Sequence, residues 1–151
     1  PSGLKWLAFQ IPGPVVIGNS IKQVDGRPVI HHETLRDILT KGINMKSRWM
    51  EKKIREMVPE VEVICDHPEP SLVSFTSAGG SGTRHDLIHT LQEGFRDFSG
   101  LSWIHCCANI DWTLLTDTGV DIINFDAYKF SDKAALYAKE FDQFLDFQRF
   151  Q

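Results

Sequence analysis

A histidine and two cysteines, His105, Cys106 and Cys107, stand together in a short apolar segment of the chain. The segment has the composition of a buried β-strand, and successive side chains of a strand point to opposite faces of a sheet. We therefore expect His105 and Cys107 to share one face and Cys106 to point to the other. One imidazole and one thiolate on the same face can share a zinc ion, which accepts mixed nitrogen and sulfur ligands.

A catalytic zinc ion normally needs three protein ligands. Asp126 follows the next predicted strand, at residues 120–125, and the carboxyl ends of parallel strands meet at one edge of a sheet. The sequence thus predicts Asp126 as the third ligand beside His105 and Cys107. The spacing also suits a packed core cysteine beside a hydrogen-bonded histidine, so the spacing alone does not decide between the two interpretations.

An acidic segment with two prolines follows the second predicted strand, at residues 61–65. Pro68 and Pro70 oppose a regular strand ladder or helix, so the segment is predicted to be a loop. Asp66 and Glu69 in this loop are candidate catalytic residues that would hold the ammonium group of a substrate. A solvated turn shaped by the prolines is the alternative interpretation.

Hydrophobic periodicity predicts strands that alternate with helices along the chain. The strands are expected at residues 4–11, 61–65, 101–106 and 120–125. The helices are expected at residues 33–57, 87–98, 111–118 and 131–147. The first strand is predicted to be interrupted by Pro12 and to resume at Val15.

Local signals predict where these helices begin and break. Gly42 indicates a division of the first helix into two, and Ser131 is expected to cap the last one. Thr83 or Ser81 is expected to cap the second helix, which follows a glycine-rich stretch at residues 78–83. That stretch lacks the lysine of a phosphate-binding loop, and we interpret it as a mobile active-site loop.

Alternating strands and helices predict an α/β fold with a parallel sheet, because a parallel connection needs a crossover of a dozen residues or more. We expect a parallel (β/α) barrel of the TIM type, in one domain over residues 1–151. A closed barrel takes about 250 residues, so four βα units make about half of one. The chain is therefore expected to be a fragment, a truncated form, or one half of an assembly completed by a second chain.

Composition excludes several classes of protein. The net charge is −4, and the 16 basic residues are scattered among 20 acidic ones, which argues against a nucleic-acid partner. We expect no membrane span and no signal peptide, hence a soluble cytoplasmic protein. Three cysteines, two of them adjacent, favour metal chemistry over a disulfide framework.

Four stretches of the chain resemble a known family. Residues 104–109 (Ile-His-Cys-Cys-Ala-Asn) and residues 119–128 (Gly-Val-Asp-Ile-Ile-Asn-Phe-Asp-Ala-Tyr) resemble motifs of the cobalamin-independent methionine synthases and uroporphyrinogen decarboxylase-like proteins. Residues 10–18 are similar to the family's Gly-Pro-Val strand end, and residues 69–72 (Glu-Pro-Ser-Leu) resemble its Asp-Glu-Pro loop. The resemblance covers most of the chain, in order.

The resemblance implies a zinc-dependent methyltransferase of methionine biosynthesis, with His105, Cys107 and Asp126 as zinc ligands. Many methionine synthases have glutamate in place of Asp126, and the family's distant fourth ligand, a cysteine, would lie beyond Gln151. The implied reaction moves a methyl group from a folate or corrinoid donor to a small-molecule thiol such as homocysteine. A corrinoid protein is an expected partner where the donor is a methylcorrinoid.

Two other functions remain open on the sequence. A catalytically silent half barrel could act as a binding or assembly module, with its sheet edges and its Phe-rich last helix covered by another chain. A uroporphyrinogen decarboxylase-like enzyme shares the architecture and works without metal, but the pairing of His105 with Cys107 argues against it.

Overall fold

The computed structural model describes residues 3–73 and 82–149, with side chains up to residue 146. Most of the glycine-rich stretch, and with it Ser81, lies outside these residues. The strands are β1 (Trp6–Gln10), β2 (Glu62–Pro68), β3 (Leu101–Cys106) and β4 (Ile122–Phe125). The helices are α1 (Pro14–Ser20), α2 (Glu33–Met57), α3 (Arg84–Gly94), α4 (Thr113–Thr116), α5 (Ala127–Ala134) and α6 (Ala138–Arg149), with 3₁₀ turns at Val29–His31 and Ala135–Tyr137.

The four strands form one parallel sheet in the order β1-β2-β3-β4. Each strand pairs with the next along the chain, and each connection contains helix, as the sequence predicts. A doubly wound sheet reverses its strand order and has helices on both faces, whereas this order is sequential. The α/β class and the parallel sheet are thus confirmed. Closure into a barrel stays a prediction, because the sheet is open.

The helices cover one face of the sheet. Strands β2 and β3 bury alternate residues, and Ile104 and Cys106 pack there against Leu87 and Leu91 of α3. The core also contains Trp112, which is completely buried and contacts one aromatic ring of β4 and one of the last helix. Those rings belong to Phe125 and Phe141. The Phe-rich last helix therefore contributes to the core of this chain through Phe141.

The other face of the sheet carries the intervening side chains, which are half-buried or exposed. Trp6 at the start of β1 is 66% exposed on this side. Parallel sheets are normally covered on both faces. We call this surface the open face, and it includes Gln10, Asp66, His105 and Asn124.

The segment after β1 does not form the strand that the sequence predicts from Val15 onward. Val15 does not resume a strand but lies in α1, whose first residue is Pro14. Proline suits the first helical position, since its fixed φ is helical and its missing N–H has no partner there in any helix. The side chain of Glu69 then accepts the N–H groups of Val15 and Val16, each at 2.8 Å. This long-range cap, invisible to local periodicity, favours the helix.

Three further element predictions are wrong in detail. Gly42 does not divide α2, which is continuous for 25 residues. Strand β2 extends to Pro68, so Asp66 is a strand residue and not a loop residue. A residue before proline favours extended backbone, which agrees with this longer strand. Ser131 lies inside α5, and Asp126 caps that helix.

The remaining helix ends follow the sequence more closely. Thr83 caps α3, and its hydroxyl and backbone N–H exchange hydrogen bonds with Asp86 in a capping box. The helix predicted at residues 111–118 is shorter, at Thr113–Thr116, and Gly119 follows it with a positive φ of 71°. No helix among residues 3–73 and 82–149 combines the length and apolar character needed to cross a bilayer.

Candidate functional site

Polar side chains converge on the open face at the carboxyl ends of the strands. Gln10, Asp66, His105 and Asn124 come from β1, β2, β3 and β4 respectively. The register places Gln10 beside Asp66, and His105 beside Asn124. These two pairs form a polar row that shifts by two residues between β2 and β3, because the β3 register partner of Asp66 is Trp103 and the β2 register partner of His105 is Pro68. The sequence predicts the candidate site at this edge of the sheet. The structure places more polar side chains there than the sequence alone predicts.

Asp66 and Gln10 form one half of the row. The Gln10 Nε2 group donates a hydrogen bond of 2.7 Å to Asp66 Oδ2. Burial raises the pKa of the Asp66 carboxyl group, while the Gln10 hydrogen bond and a positive charge on His105 lower it. Asp66 is therefore close enough to His105 for their charges to interact. Its position on the open face agrees with the predicted role in binding a substrate.

His105 and Asn124 form the other half. His105 Nδ1 is hydrogen-bonded to Asn124 Oδ1. A side-chain amide oxygen only accepts, so Nδ1 donates the hydrogen, and the neutral ring then carries its lone pair on Nε2. Histidines that bind metals usually donate their second ring N–H to such an acceptor, which fixes the tautomer and the orientation. The contact between His105 and Asn124 has the form of such a second-nitrogen hydrogen bond.

The three thiols occupy different environments. Cys106 points into the core, opposite to His105, so the predicted alternation is confirmed for these two residues. Burial raises the pKa of Cys106 to about 11 and that of Cys65 to about 12. Cys107 follows the end of β3 and is exposed. Cys107 is therefore the accessible thiol, and Cys65 is a core residue.

Asp126 directly follows β4 but belongs to the start of α5. Its Oδ1 accepts the backbone N–H of Lys129 at 3.2 Å, and its Oδ2 lies 3.3 Å from Lys129 Nζ. The imidazole, thiol and carboxylate match a catalytic zinc donor set in chemistry. Across residues 3–73 and 82–149, however, no three His, Cys, Asp or Glu side chains are grouped so as to hold a metal. A zinc ion would need Asp126 to leave its cap, or another ligand.

Glu69 lies away from the open face and is completely buried. Its carboxyl group accepts from Val15 and Val16, and its own backbone N–H donates to the carbonyl oxygen of His105 at 2.7 Å. Burial raises the pKa of Glu69 to about 8, although the two N–H donors lower it. In this arrangement Glu69 joins α1 to β2 and β3, whereas Asp66 reaches the open face.

Three residues of the site go beyond the sequence prediction. Gln10, Trp103 and Asn124 share the open face with Asp66 and His105. The signal was available for Trp103, which is two positions before His105 on the same strand. Gln10 and Asn124 could be placed only once the register between neighbouring strands was known.

We compared the chain with known protein families, proteins and structures. Neither the protein-family models, nor the curated proteins, nor the solved structures contain a match to the chain.

Proposed function

We propose that the chain supplies the metal-binding part of a zinc-dependent methyltransferase whose methyl acceptor is a small-molecule thiol. The observation that carries the proposal is the His105–Asn124 hydrogen bond at the carboxyl end of β3. It leaves Nε2 as the metal-binding atom, two residues before the exposed Cys107. The sequential parallel sheet, with helices on one face, further supports a barrel of the TIM type.

In this proposal His105 and Cys107 hold the zinc ion, and Asp126 is the third ligand. Recruiting Asp126 breaks contacts with one residue, Lys129. Loss of a helix N-cap costs about 1 kcal/mol, whereas structural zinc binding contributes roughly 10–16 kcal/mol. The cap is therefore a small obstacle.

A bound zinc ion would deprotonate the thiol of the acceptor and keep it nucleophilic at neutral pH. The chain's own residues orient the reactants: Asn124 fixes the ring of His105, and Gln10 holds Asp66 on the open face. We propose a folate or a methylcorrinoid as the methyl donor. A cytoplasmic location agrees with three free cysteines, since thiols persist in reducing compartments.

Metal content tests this proposal. We expect about one zinc per chain after dialysis, measured by mass spectrometry of the metal. His105→Ala and Cys107→Ala should each lose the zinc, because each removes one of the ligands. Cys106→Ala is the matched control, since this neighbouring thiol points into the core. Wild-type protein without zinc, or equal loss in the Cys106 variant, would contradict the proposal.

A catalytically silent assembly module is the second candidate. The open face favours it, because parallel sheets are normally buried on both sides. Light scattering on the same samples separates the two functions. A metal-free chain that forms a stable oligomer, unchanged by Cys107→Ala, favours the assembly module over the methyltransferase.

A further inference from the structure

Three large apolar side chains are exposed along the outer side of α2. Ile38, Met45 and Trp49 are 61%, 69% and 55% exposed. Their spacing of seven and four residues places them on one side of the helix, opposite to buried residues such as Ser47 and Ile54. We call these three residues the outer stripe. Single exposed apolar residues are ordinary, whereas an apolar stripe on one helix face is typical of a surface that binds another protein.

A groove of about 790 Å³ includes two residues of the outer stripe. Its lining combines the apolar side chains of Met45 and Trp49 with the basic side chains of Arg48, Lys52 and Arg55. Apolar pockets of this kind receive the anchoring side chains of a partner, and basic residues beside them attract acidic groups.

The groove lies away from the candidate site. It also involves Glu56, at the end of α2 and just before β2, and Ser99, two residues before β3 begins. The groove is therefore near the amino ends of the strands, whereas the candidate site is at their carboxyl ends. A molecule in the groove would leave the candidate site open, so the inference goes beyond the proposed function and does not rest on it.

The helix that forms the groove is positively charged, although the whole chain is not. Seven basic and four acidic residues lie in α2, whereas the chain has a net charge of −4. One of the four acidic residues, Glu51, is buried and accepts hydrogen bonds from the Ser99 N–H at 3.2 Å and from Arg55 Nε at 3.0 Å. The charge of Glu51 is thus matched inside the protein and does not cancel the basic groups at the surface.

Two basic side chains of the groove remain available to a partner. Lys52 forms no salt bridge with any residue that the structure describes. Arg48 lies 3.7 Å from Asp97, and the side chains of this pair are 50% and 69% exposed. A pair so exposed contributes little, and it can exchange for a better partner. Arg48 and Lys52 are four residues apart, which places both charges on one side of the helix.

Charge and shape together select the occupant. A second copy of α2 would bring two positive helices together, which is unfavourable. A lipid bilayer favours an apolar face that projects into it, whereas this surface is concave. An amphipathic helix with acidic residues fits both features, because its apolar side chains enter the groove and its carboxylates, three or four residues apart, meet Arg48 and Lys52.

We propose that the outer stripe and its groove bind an acidic amphipathic helix of another protein. Met45 and Trp49 supply the apolar contact, and Arg48 and Lys52 supply the charges that select an acidic partner. Binding should weaken as the salt concentration rises, since these charges are exposed to solvent.

Fluorescence anisotropy on the full chain tests the surface with two labelled synthetic peptides. The first has three heptads with leucine at the first and fourth positions and glutamate on either side of them. The second carries lysine in place of each glutamate. We expect the acidic peptide to bind at least roughly tenfold more tightly than the basic one, and less tightly at high salt. No binding of the acidic peptide, or equal binding of both, would overturn the inference.

Variants at exposed positions locate the binding. Trp49→Ala should weaken binding of the acidic peptide roughly tenfold or more, because buried tryptophan dominates such contacts. Arg48→Glu combined with Lys52→Glu should reverse the preference between the peptides. Trp6→Ala on β1 and Lys139→Glu on α6 are the matched controls and should bind like the wild type. Unchanged binding in both groove variants, each folded by circular dichroism, would overturn the inference.

Two further measurements exclude the other occupants. The chain should not sediment with vesicles that contain phosphatidylserine, and its mass by light scattering should be the same for the wild type and Trp49→Ala. Vesicle binding that Trp49→Ala abolishes would assign the outer stripe to a membrane. An oligomer that Trp49→Ala dissociates would assign it to a second copy. Either result would overturn the acidic helix as the occupant.

Discussion

The side chain of Asn124 controls the most important group of the candidate site, although it would not itself touch the metal. Its amide oxygen accepts from His105 Nδ1 and so decides which ring nitrogen keeps a lone pair. Removal of such an outer partner typically lowers metal affinity 10- to 100-fold. In the proposed zinc site, the affinity for zinc would therefore depend on a residue of the neighbouring strand.

This dependence gives a prediction at the scale of the residue. Asn124→Leu should weaken zinc binding by roughly 10- to 100-fold, because the ring of His105 loses its acceptor. Asn124→Asp keeps an acceptor at the same position and should retain most of the affinity. Competition with a chromogenic chelator measures both. Equal affinities for Asn124→Leu and the wild type would show that His105 does not bind metal through Nε2.

The sequence predicts the face that a side chain occupies where the alternation along a strand determines it. Alternation along β3 correctly separates His105 from Cys106. Alternation along β2 would likewise separate Asp66 from His67, had the strand been predicted to continue to Pro68. The burial of Glu69 could not be predicted, since its partners Val15 and Val16 lie more than 50 positions away.

Helices α1 and α2 show how much a glycine depends on its surroundings. A Cβ atom at Gly13, just before α1, would lie 2.2 Å from Glu69 Oε1, whereas one at Gly42 in α2 would meet nothing within 4 Å. The sequence predicts a break of the helix at Gly42, and it predicts a break of the first strand at Pro12, next to Gly13. Only the tertiary structure shows that Gly13 is required and that Gly42 is an ordinary surface position inside a helix.

The two glycines give opposite predictions at the scale of the element. Gly42→Ala should stabilise the protein by about 0.5–1 kcal/mol, because glycine is a poor helix former. Gly13→Ala should destabilise it, because the methyl group displaces the Glu69 carboxyl group from the start of α1. Urea unfolding followed by circular dichroism measures both. A destabilised Gly42→Ala variant would contradict a continuous α2.

At the scale of the whole molecule, the order and direction of the strands could be predicted from the sequence more readily than closure into a barrel. Each βα unit is local in sequence, and parallel strands joined by helical crossovers leave few arrangements. Closure is different, because it depends on what meets the free edges of β1 and β4. The sequence pattern of four strands is the same in an open sheet and in half of a barrel.

A buried histidine couples the helix layer to the sheet. His67 Nε2 lies 3.1 Å from Ser47 Oγ of α2, and its ring stacks on Phe95 just after α3, with ring centres 4.0 Å apart. Burial lowers the pKa of His67 from 6.5 to about 3. A protonated His67 is therefore incompatible with the packed layers, which makes the fold sensitive to acid.

This coupling predicts a pH dependence of global stability. Between pH 6.5 and about 3 the unfolded chain protonates His67 while the folded chain does not. The free energy of unfolding should thus fall as the pH is lowered through this window, by up to about 1.4 kcal/mol per pH unit from this group. Glu69 acts oppositely, since its raised pKa adds stability at low pH that is lost as the pH rises through about 8.

The contribution of His67 is isolated by comparison with His67→Gln. The difference in unfolding free energy between wild type and variant should shrink as the pH falls from 6.5, because the contribution of Glu69 is common to both proteins. His85→Gln on the exposed part of α3 is the control and should follow the wild type. A constant difference between wild type and His67→Gln across the window would contradict the burial of a neutral imidazole.

The position of Glu69 has a consequence for how the site adapts to what it binds. Through its side chain and backbone, Glu69 ties the beginning of α1 to the ends of β2 and β3. Asp126, at the end of β4, contacts Lys129 in the first turn of its own helix. A ligand at this edge of the sheet would therefore contact a rigid surface on the first three strands. We expect any structural adjustment on binding to occur in the turn after β4.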